Sequence, residues 1–168
     1  MNKRKAFFIS LLTNCLIGAI IFLARYSWGI TLALGQAVPI LLIPLAVSIA
    51  IFFGEGVGLA AGLFIGIFMD SAASDATCFN TLFLSIGCVA CGVMAFRFLN
   101  RNLKAAICLS AGMSFAYYLL RYVIFYAFRG IEVTYEYFVV NLIPSAVYTA
   151  LWLIPFYFLE KKLVNLYH

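Results

Sequence analysis

Long apolar runs separated by short polar segments extend along almost the whole of this chain. The runs are continuous rather than alternating, which favours helices over the strands of a β-barrel. A helix needs about 20 mostly apolar residues to cross a bilayer, and most of the runs are close to that length. They predict one domain over residues 1–168, an all-α integral membrane bundle of six helices. The predicted spans are about 7–24, 37–53, 56–70, 78–99, 105–128 and 137–159.

The third predicted span carries glycines at a strict spacing of four residues. Gly54, Gly58, Gly62 and Gly66 form one stripe along a helix, and Asp70 continues the same register at its end. Small residues at this spacing allow the backbone of another helix to approach closely in a membrane. The stripe therefore predicts a helix-packing surface, either within the bundle, which we favour, or for the helix of a partner.

Asp70 is the candidate structural or coupling charge, because an acid near hydrocarbon is costly and usually has a role. It can cap the outer end of its helix in contact with water, or it can bond to a neighbouring helix or to the polar turn that follows. A carboxylate is poorly placed at a helix C-terminus, so we expect a partner. Arg121, inside the fifth predicted span, is one candidate for a direct pair. Its long side chain can instead reach lipid phosphate on its own.

Prolines and polar residues distinguish the other spans. Pro39, near the start of the second span, fits a first helical turn, whereas Pro44 is expected to kink that helix. Asn141, Ser145 and Thr149 form a polar stripe on the sixth span. Such a stripe commonly joins helices by hydrogen bonds, and facing inward it could line a small cavity. The first span has a polar face of its own, predicted to bond to a neighbouring helix and made of Ser10, Thr13 and Asn14.

The composition agrees with a membrane protein, and the charge pattern predicts its orientation. Apolar residues make up 66% of the 168 residues, charged residues 10%, and the mean hydropathy is +1.09. The net charge of +5 lies in short segments at alternate ends of spans, which indicates topology rather than nucleic-acid binding. Both termini are predicted to be cytoplasmic. The inner basic residues are then Lys3, Arg4, Lys5, Arg97, Arg101, Lys104, Lys161 and Lys162, and the outer ones are Arg25 and Arg129.

Catalytic and cofactor chemistry finds little support in the residues. Cys88 and Cys91 form a single CxxC inside an apolar run, and we expect them to be small buried side chains. The one histidine is the last residue, His168, so no Ser-His-Asp set is available. Asp70 and Asp75 alone are weak grounds for an intramembrane enzyme. We expect no catalytic residue, metal or cofactor.

The most specific motif joins a proline-led span to a glycine-striped span that ends in an acid. It consists of Pro39 with the following ILLIPLAV, then Gly58, Gly62, Gly66 and Asp70. This arrangement resembles the rod shape-determining protein MreD family of bacteria, whose glycine-rich span has the form GxxxGFxxGxxxD. The next span begins CFNTL, so Cys78 stands where that family usually has glycine, and Phe64 replaces its aromatic residue with a slight shift in register. The resemblance is strongest over residues 37–85.

The resemblance implies a non-enzymatic subunit of the machinery that elongates peptidoglycan, in the bacterial cytoplasmic membrane. It implies binding to an MreC-type protein, which has a single span and an extracytoplasmic domain, and an indirect link to the actin-like MreB. It also implies that the chemistry is supplied by neighbours, RodA and a class B penicillin-binding protein.

A second class of protein has a similar architecture. The membrane-embedded substrate-binding subunits of energy-coupling-factor vitamin transporters are also small six-span proteins with basic inner loops. In that interpretation the outer turns and the stripe that begins at Asn141 line a vitamin pocket. Tight binding of a small molecule would favour the transporter subunit, and copurification with an MreC-type protein would favour the assembly subunit.

Overall fold

The computed structural model describes residues 3–26, 39–72, 78–97, 102–124 and 142–167, and these residues are nearly all helical. The all-α class predicted from the hydropathy pattern is confirmed. The helices within the described residues are α1 (Lys3–Tyr26), α2 (Leu42–Phe53), α3 (Glu55–Ala72), α4 (Phe79–Arg97), α5 (Leu103–Tyr122), α6 (Ile143–Leu151) and α7 (Leu153–Tyr167). Parts of the predicted spans, at 37–38, 98–99, 125–128 and 137–141, lie outside the described residues.

Four helical segments within the described residues are long and apolar enough to cross a membrane. They are Glu55–Ala72, Phe79–Arg97, Leu103–Tyr122 and Ile143–Asn165. The last of these joins α6 to most of α7, and α3 extends beyond the predicted span at both ends. Two shorter apolar segments, Leu11–Arg25 in α1 and Leu42–Phe53 in α2, add to these four. By length and composition, the chain is a multi-pass membrane protein.

The short helix α2 forms the core of the bundle. Every residue from Leu42 to Ile51 is buried, and the helix contains no charged side chain. Its 12 residues extend about 18 Å at 1.5 Å per residue, less than the roughly 30 Å of bilayer hydrocarbon. Helices α1, α3, α4, α5 and α7 all contact it. Its apolar surface is therefore covered by protein on all sides.

Neighbouring helices run antiparallel around this core. A tight turn at Gly54 reverses the chain between α2 and α3. Along α3 and α4, Gly58 lies beside Cys88 while Gly66 lies beside Thr81. The end of α3 and the beginning of α4 therefore meet at one end of the bundle, which we call the distal end.

Prolines determine where two helices begin. Pro44 lies in the first turn of α2, because that helix begins at Leu42. A first-turn N–H has no partner inside the helix, so its loss does not kink α2, and the predicted kink is wrong. Pro155 has the same position in α7, and its ring excludes a helical bond to the carbonyl of Leu151. The sixth predicted span is accordingly divided at Trp152.

Candidate functional site

Asp70, at the end of the glycine stripe, caps the beginning of α4. Its carboxylate accepts hydrogen bonds from the backbone N–H of Asn80 (3.0 Å), the backbone N–H of Thr81 (2.8 Å) and the Thr81 hydroxyl. These backbone groups belong to the second and third residues of α4 and have no partner within the helix. The N-cap position itself holds Cys78, whose thiol is a weak acceptor. Asp70 thus supplies from α3 the acceptor that α4 lacks locally.

The position of Asp70 is electrostatically favourable because of α4. The C-terminus of α3 disfavours a negative charge, whereas the N-terminus of α4 attracts one. The expectation that Asp70 bonds to a neighbouring helix is confirmed. Its partner is a helix N-terminus.

Arg121 is connected to Asp70 only indirectly. Its guanidinium donates a hydrogen bond to the Tyr117 hydroxyl (3.0 Å), which donates to the side-chain oxygen of Asn80 (2.7 Å). The backbone N–H of Asn80 then donates to Asp70. No hydrogen bond or salt bridge between Asp70 and Arg121 occurs within the described residues. In place of the direct pair considered from the sequence, a chain of hydrogen bonds links α3, α4 and α5.

The glycine stripe packs against α4. A Cβ atom added to Gly62 would lie 2.6 Å from the carbonyl oxygen of Leu84, and one added to Gly66 would collide with the backbone of Thr81. A Cβ atom at Gly58 would lie 2.8 Å from the Cβ of Ala50 on α2 and 3.2 Å from the carbonyl oxygen of Cys88 on α4. These spaces are too small for any side chain. Because α4 fills the stripe, this surface is not open to the helix of a partner.

Gly54 has a different role from the other three glycines. It lies between α2 and α3 rather than on a helix, and its φ of 90° is in the left-handed region that favours glycine. Its N–H donates to the carbonyl of Ala50 (3.0 Å), and its carbonyl accepts from the N–H of Gly58 (2.8 Å). The prediction that Gly54 belongs to the helical stripe is wrong. It makes the turn that brings α3 against α2.

Thr149 holds the segment that leads into α2. Its hydroxyl oxygen accepts from the backbone N–H of Ile40 (3.1 Å), and the hydroxyl donates to the carbonyl of Ser145 (2.7 Å). A hydroxyl carries one hydrogen, so the Tyr118 hydroxyl, 3.3 Å away, donates to Thr149. Thr149 therefore joins α6 to α5 and to the segment before α2, which confirms for this residue of the stripe the first of the two interpretations. Asn141 lies outside the described residues.

Pro39 lies just before α2 rather than within its first turn, and it is buried. Its carbonyl accepts a hydrogen bond of 2.6 Å from the guanidinium of Arg25, near the end of α1. Arg25 and Thr149 thus hold the same segment from two sides. Both contacts are made just before the start of α2, at the distal end of the bundle. The Asp70 cap between α3 and α4 lies at that same end.

Glu160 was not among the residues predicted to have a role. The sixth predicted span ends at residue 159, but α7 continues to Tyr167, and Glu160 is completely buried. The side-chain amide of Asn14 donates to its Oε2 atom (3.2 Å), so the predicted bond from the polar face of α1 to another helix is confirmed at Asn14. The available signal was periodicity, because Glu160 follows the buried Phe156 and Tyr157 by four and three residues.

An apolar cleft of about 180 Å³ lies between α1, α2 and α3. Asn14 is the one polar side chain among the residues that line it, and neither Ser145 nor Thr149 takes part. Cys88 and Cys91 are buried free thiols, as predicted. Among the described residues, no group of three His, Cys, Asp or Glu side chains is placed to bind a metal ion.

Comparisons with protein-family models, with curated proteins and with solved structures find no match for this chain. The function has to be inferred from the residues and their contacts. The polar side chains at the distal end have one effect in common: each holds the beginning of a helix or links two helices.

Proposed function

We propose that this chain is a non-enzymatic membrane subunit of a bacterial cell-wall elongation complex, of the kind that the MreD family forms, and that it binds an MreC-type protein. The observation that carries the proposal is the paired α3 and α4. The glycine run and its terminal acid are the residues on which the resemblance rests. They act together here, since the glycines bring α4 close and Asp70 caps it.

In this proposal the bundle crosses the cytoplasmic membrane six times, with α1 and α2 adding to the four long spans and α6 with α7 counted as one. Arg97 and Lys104 lie at helix ends opposite the distal end, and Lys161 lies in the second half of α7, whereas Arg25 and Arg121 lie near the distal end. Cytoplasmic segments are enriched in lysine and arginine. The proposal therefore has both termini in the cytoplasm and the distal end facing outward.

The contacts of Asp70 support a role in complex assembly rather than in catalysis. Both oxygens of Asp70 accept hydrogen bonds from α4, so this acid acts as a cap. Its position on rigid elements suits a subunit that presents a fixed outer surface to a partner. Since α4 fills the glycine stripe, an MreC-type helix would have to bind a different surface of the bundle.

The test is affinity purification of the tagged protein in mild detergent, with mass spectrometry of the recovered proteins and small molecules. The proposal predicts recovery of an MreC-type protein, with RodA or a class B penicillin-binding protein in the same sample. Recovery of an ATPase, a transporter scaffold and a stoichiometric vitamin would contradict it and favour the energy-coupling-factor alternative. A detergent-matched purification of an unrelated tagged six-span protein is the control for carry-over.

The contacts of Thr149 bear on that alternative. A vitamin pocket lined by the stripe at residues 141–149 would need its hydroxyls free for a ligand. Thr149 instead bonds to Ile40, Ser145 and Tyr118. This use of the stripe favours the assembly subunit.

A further inference from the structure

Glu160 and Asn14 form a buried polar pair that joins the last described helix to the first. Glu160 has no exposed surface, and Asn14 is 3% exposed. Side chains on a helix lean toward its N-terminus, so the carboxyl of Glu160 reaches back into the bundle rather than toward the end of α7. The pair contributes one hydrogen bond, from the Asn14 amide nitrogen to Glu160 Oε2.

Each member of the pair also has one buried oxygen atom without a hydrogen-bond partner. These atoms are Oδ1 of Asn14 and Oε1 of Glu160. Both are acceptors when the carboxyl is ionised, so neither can satisfy the other in that state. A buried polar atom that lacks a partner is costly, and an unpaired buried charge is costlier still. An ionised Glu160 would therefore combine both penalties at one place.

Among the side chains that the structure describes, no nearby charge compensates for this burial. Helices α2 and α6 carry no charged residue. On α1, Lys5 and Arg25 are nine and eleven residues from Asn14, or about 13 and 16 Å along the axis. On α5, Lys104 and Arg121 are exposed, as are Lys161 and Lys162 beside Glu160 on α7. None of the described cations forms a salt bridge with Glu160.

We propose that Glu160 is a proton-binding site, neutral in the folded bundle, and that its acid group makes a two-bond pair with Asn14. The O–H of Glu160 donates to Oδ1 of Asn14, while the Asn14 amide donates to Oε2 of Glu160. The carboxylate takes the proton from water, and no other bond forms or breaks. One proton thereby satisfies both unpartnered oxygens. This inference does not depend on the proposed function.

Proton binding at this position makes the attachment of α1 to α7 sensitive to pH. The folded protein would bind one proton more than the unfolded chain, in which Glu160 is an ordinary exposed glutamate. Stability is then greatest in acid and falls as pH rises, because the unfolded state binds fewer protons. Loss of the proton would leave a buried charge between the first and last described helices.

Infrared spectroscopy of the purified protein at neutral pH is the first test. A protonated carboxyl has a C=O stretch separate from the amide and carboxylate bands, and this band shifts on exchange into D₂O. We expect the band in the wild type and in Glu55→Gln, which changes an exposed acid, and its loss in Glu160→Gln. A wild-type spectrum identical to that of Glu160→Gln in this region would overturn the proposal.

Thermal unfolding across pH is the second test. The amide of Glu160→Gln can form the same two hydrogen bonds with Asn14 without a proton, so this variant should keep the acid-pH melting temperature of the wild type and lose its decline with pH. If Glu160→Gln does not fold, Asn14→Leu serves instead. This substitution removes the acceptor and should shift the acid band of Glu160 to higher frequency. A wild-type melting temperature that does not fall as pH is raised would contradict proton binding. So would a melting temperature that rises with added Na⁺, K⁺ or Ca²⁺ in a protein whose spectrum lacks the acid band.

Discussion

Replacing Asp70 with alanine should weaken the attachment of α4 to α3, because it removes the acceptor of three hydrogen bonds. The N–H groups of Asn80 and Thr81 would lose their cap, and loss of an N-cap costs about 0.5–2 kcal/mol. The bond from the Thr81 hydroxyl adds about 1 kcal/mol. We expect a total loss of about 1.5–3 kcal/mol. For a chain of this size each kcal/mol lowers the melting temperature by roughly 2–4 °C, which gives about 3–12 °C.

Two buried thiols provide the assay for this prediction. Cys88 and Cys91 lie on α4 and are buried, whereas Cys78 and Cys108 are exposed and Cys15 is partly buried. In a background with Cys15 and Cys108 replaced by serine and Cys78 replaced by alanine, which adds no capping acceptor at the start of α4, a maleimide dye that fluoresces on reaction reports the opening of the bundle around Cys88 and Cys91 during heating.

The control is Glu55→Gln, which changes an exposed acid at the beginning of the same helix. It should lower the melting temperature less than Asp70→Ala, because an exposed charge at a helix N-terminus contributes at most about 1 kcal/mol. The cap argument also predicts that Asp70→Asn, which retains one carbonyl acceptor, falls between the wild type and Asp70→Ala. If Asp70→Ala melts at the temperature of the Glu55→Gln control, the carboxylate does not stabilise the pair and the reasoning fails.

The remaining predictions use the same thiol assay. Gly62→Ala should cost about 1–3 kcal/mol through overpacking, since its Cβ would collide with the Leu84 carbonyl. The control Gly56→Ala, whose Cβ would have no heavy atom within 4 Å, should have little effect. Equal melting temperatures of the two variants would contradict the close approach of α4. Thr149→Val should cost about 1–3 kcal/mol, because it leaves the buried N–H of Ile40 unpaired. An unchanged melting temperature would show that Thr149 does not hold that segment. Tyr117→Phe should cost about 1–2 kcal/mol, because it removes the hydroxyl that links Arg121 to Asn80 by hydrogen bonds. If the effects of Tyr117→Phe and Asp70→Ala on the melting temperature are additive in the double variant, the two residues do not belong to one coupled network.

The sequence pattern predicted the helical class, the close-packing role of Gly58, Gly62 and Gly66, and a neighbouring-helix partner for Asp70. Each of these depends on spacing along one helix, which a single sequence shows directly. The identity of that partner could not be read in this way. The start of α4 needs an acceptor because its N-cap position holds Cys78, and Asp70 can supply that acceptor only when α3 and α4 lie side by side.

Three differences between the predicted and the observed structure have a second cause: the sequence pattern misplaces the residue at which a helix begins or ends. The glycine spacing placed Gly54 on a helix, whereas the hydropathy pattern placed Pro44 inside a helix and ended the sixth span just before Glu160. The structure ends α2 just before Gly54, begins α2 at Leu42 and extends α7 to Tyr167. An apolar run shows that a helix is present, but the turn at Gly54 and the burial of Glu160 arise from contacts with other helices.

Native mass spectrometry of the particle released from membranes tests the central claim most directly. The chain has a mass of 18.6 kDa, so a bound polypeptide and a bound small molecule give very different increments. Our account predicts a particle that contains this chain and an MreC-type protein, with no small-molecule adduct. A particle that contains this chain with one vitamin-sized adduct and no such protein would contradict it.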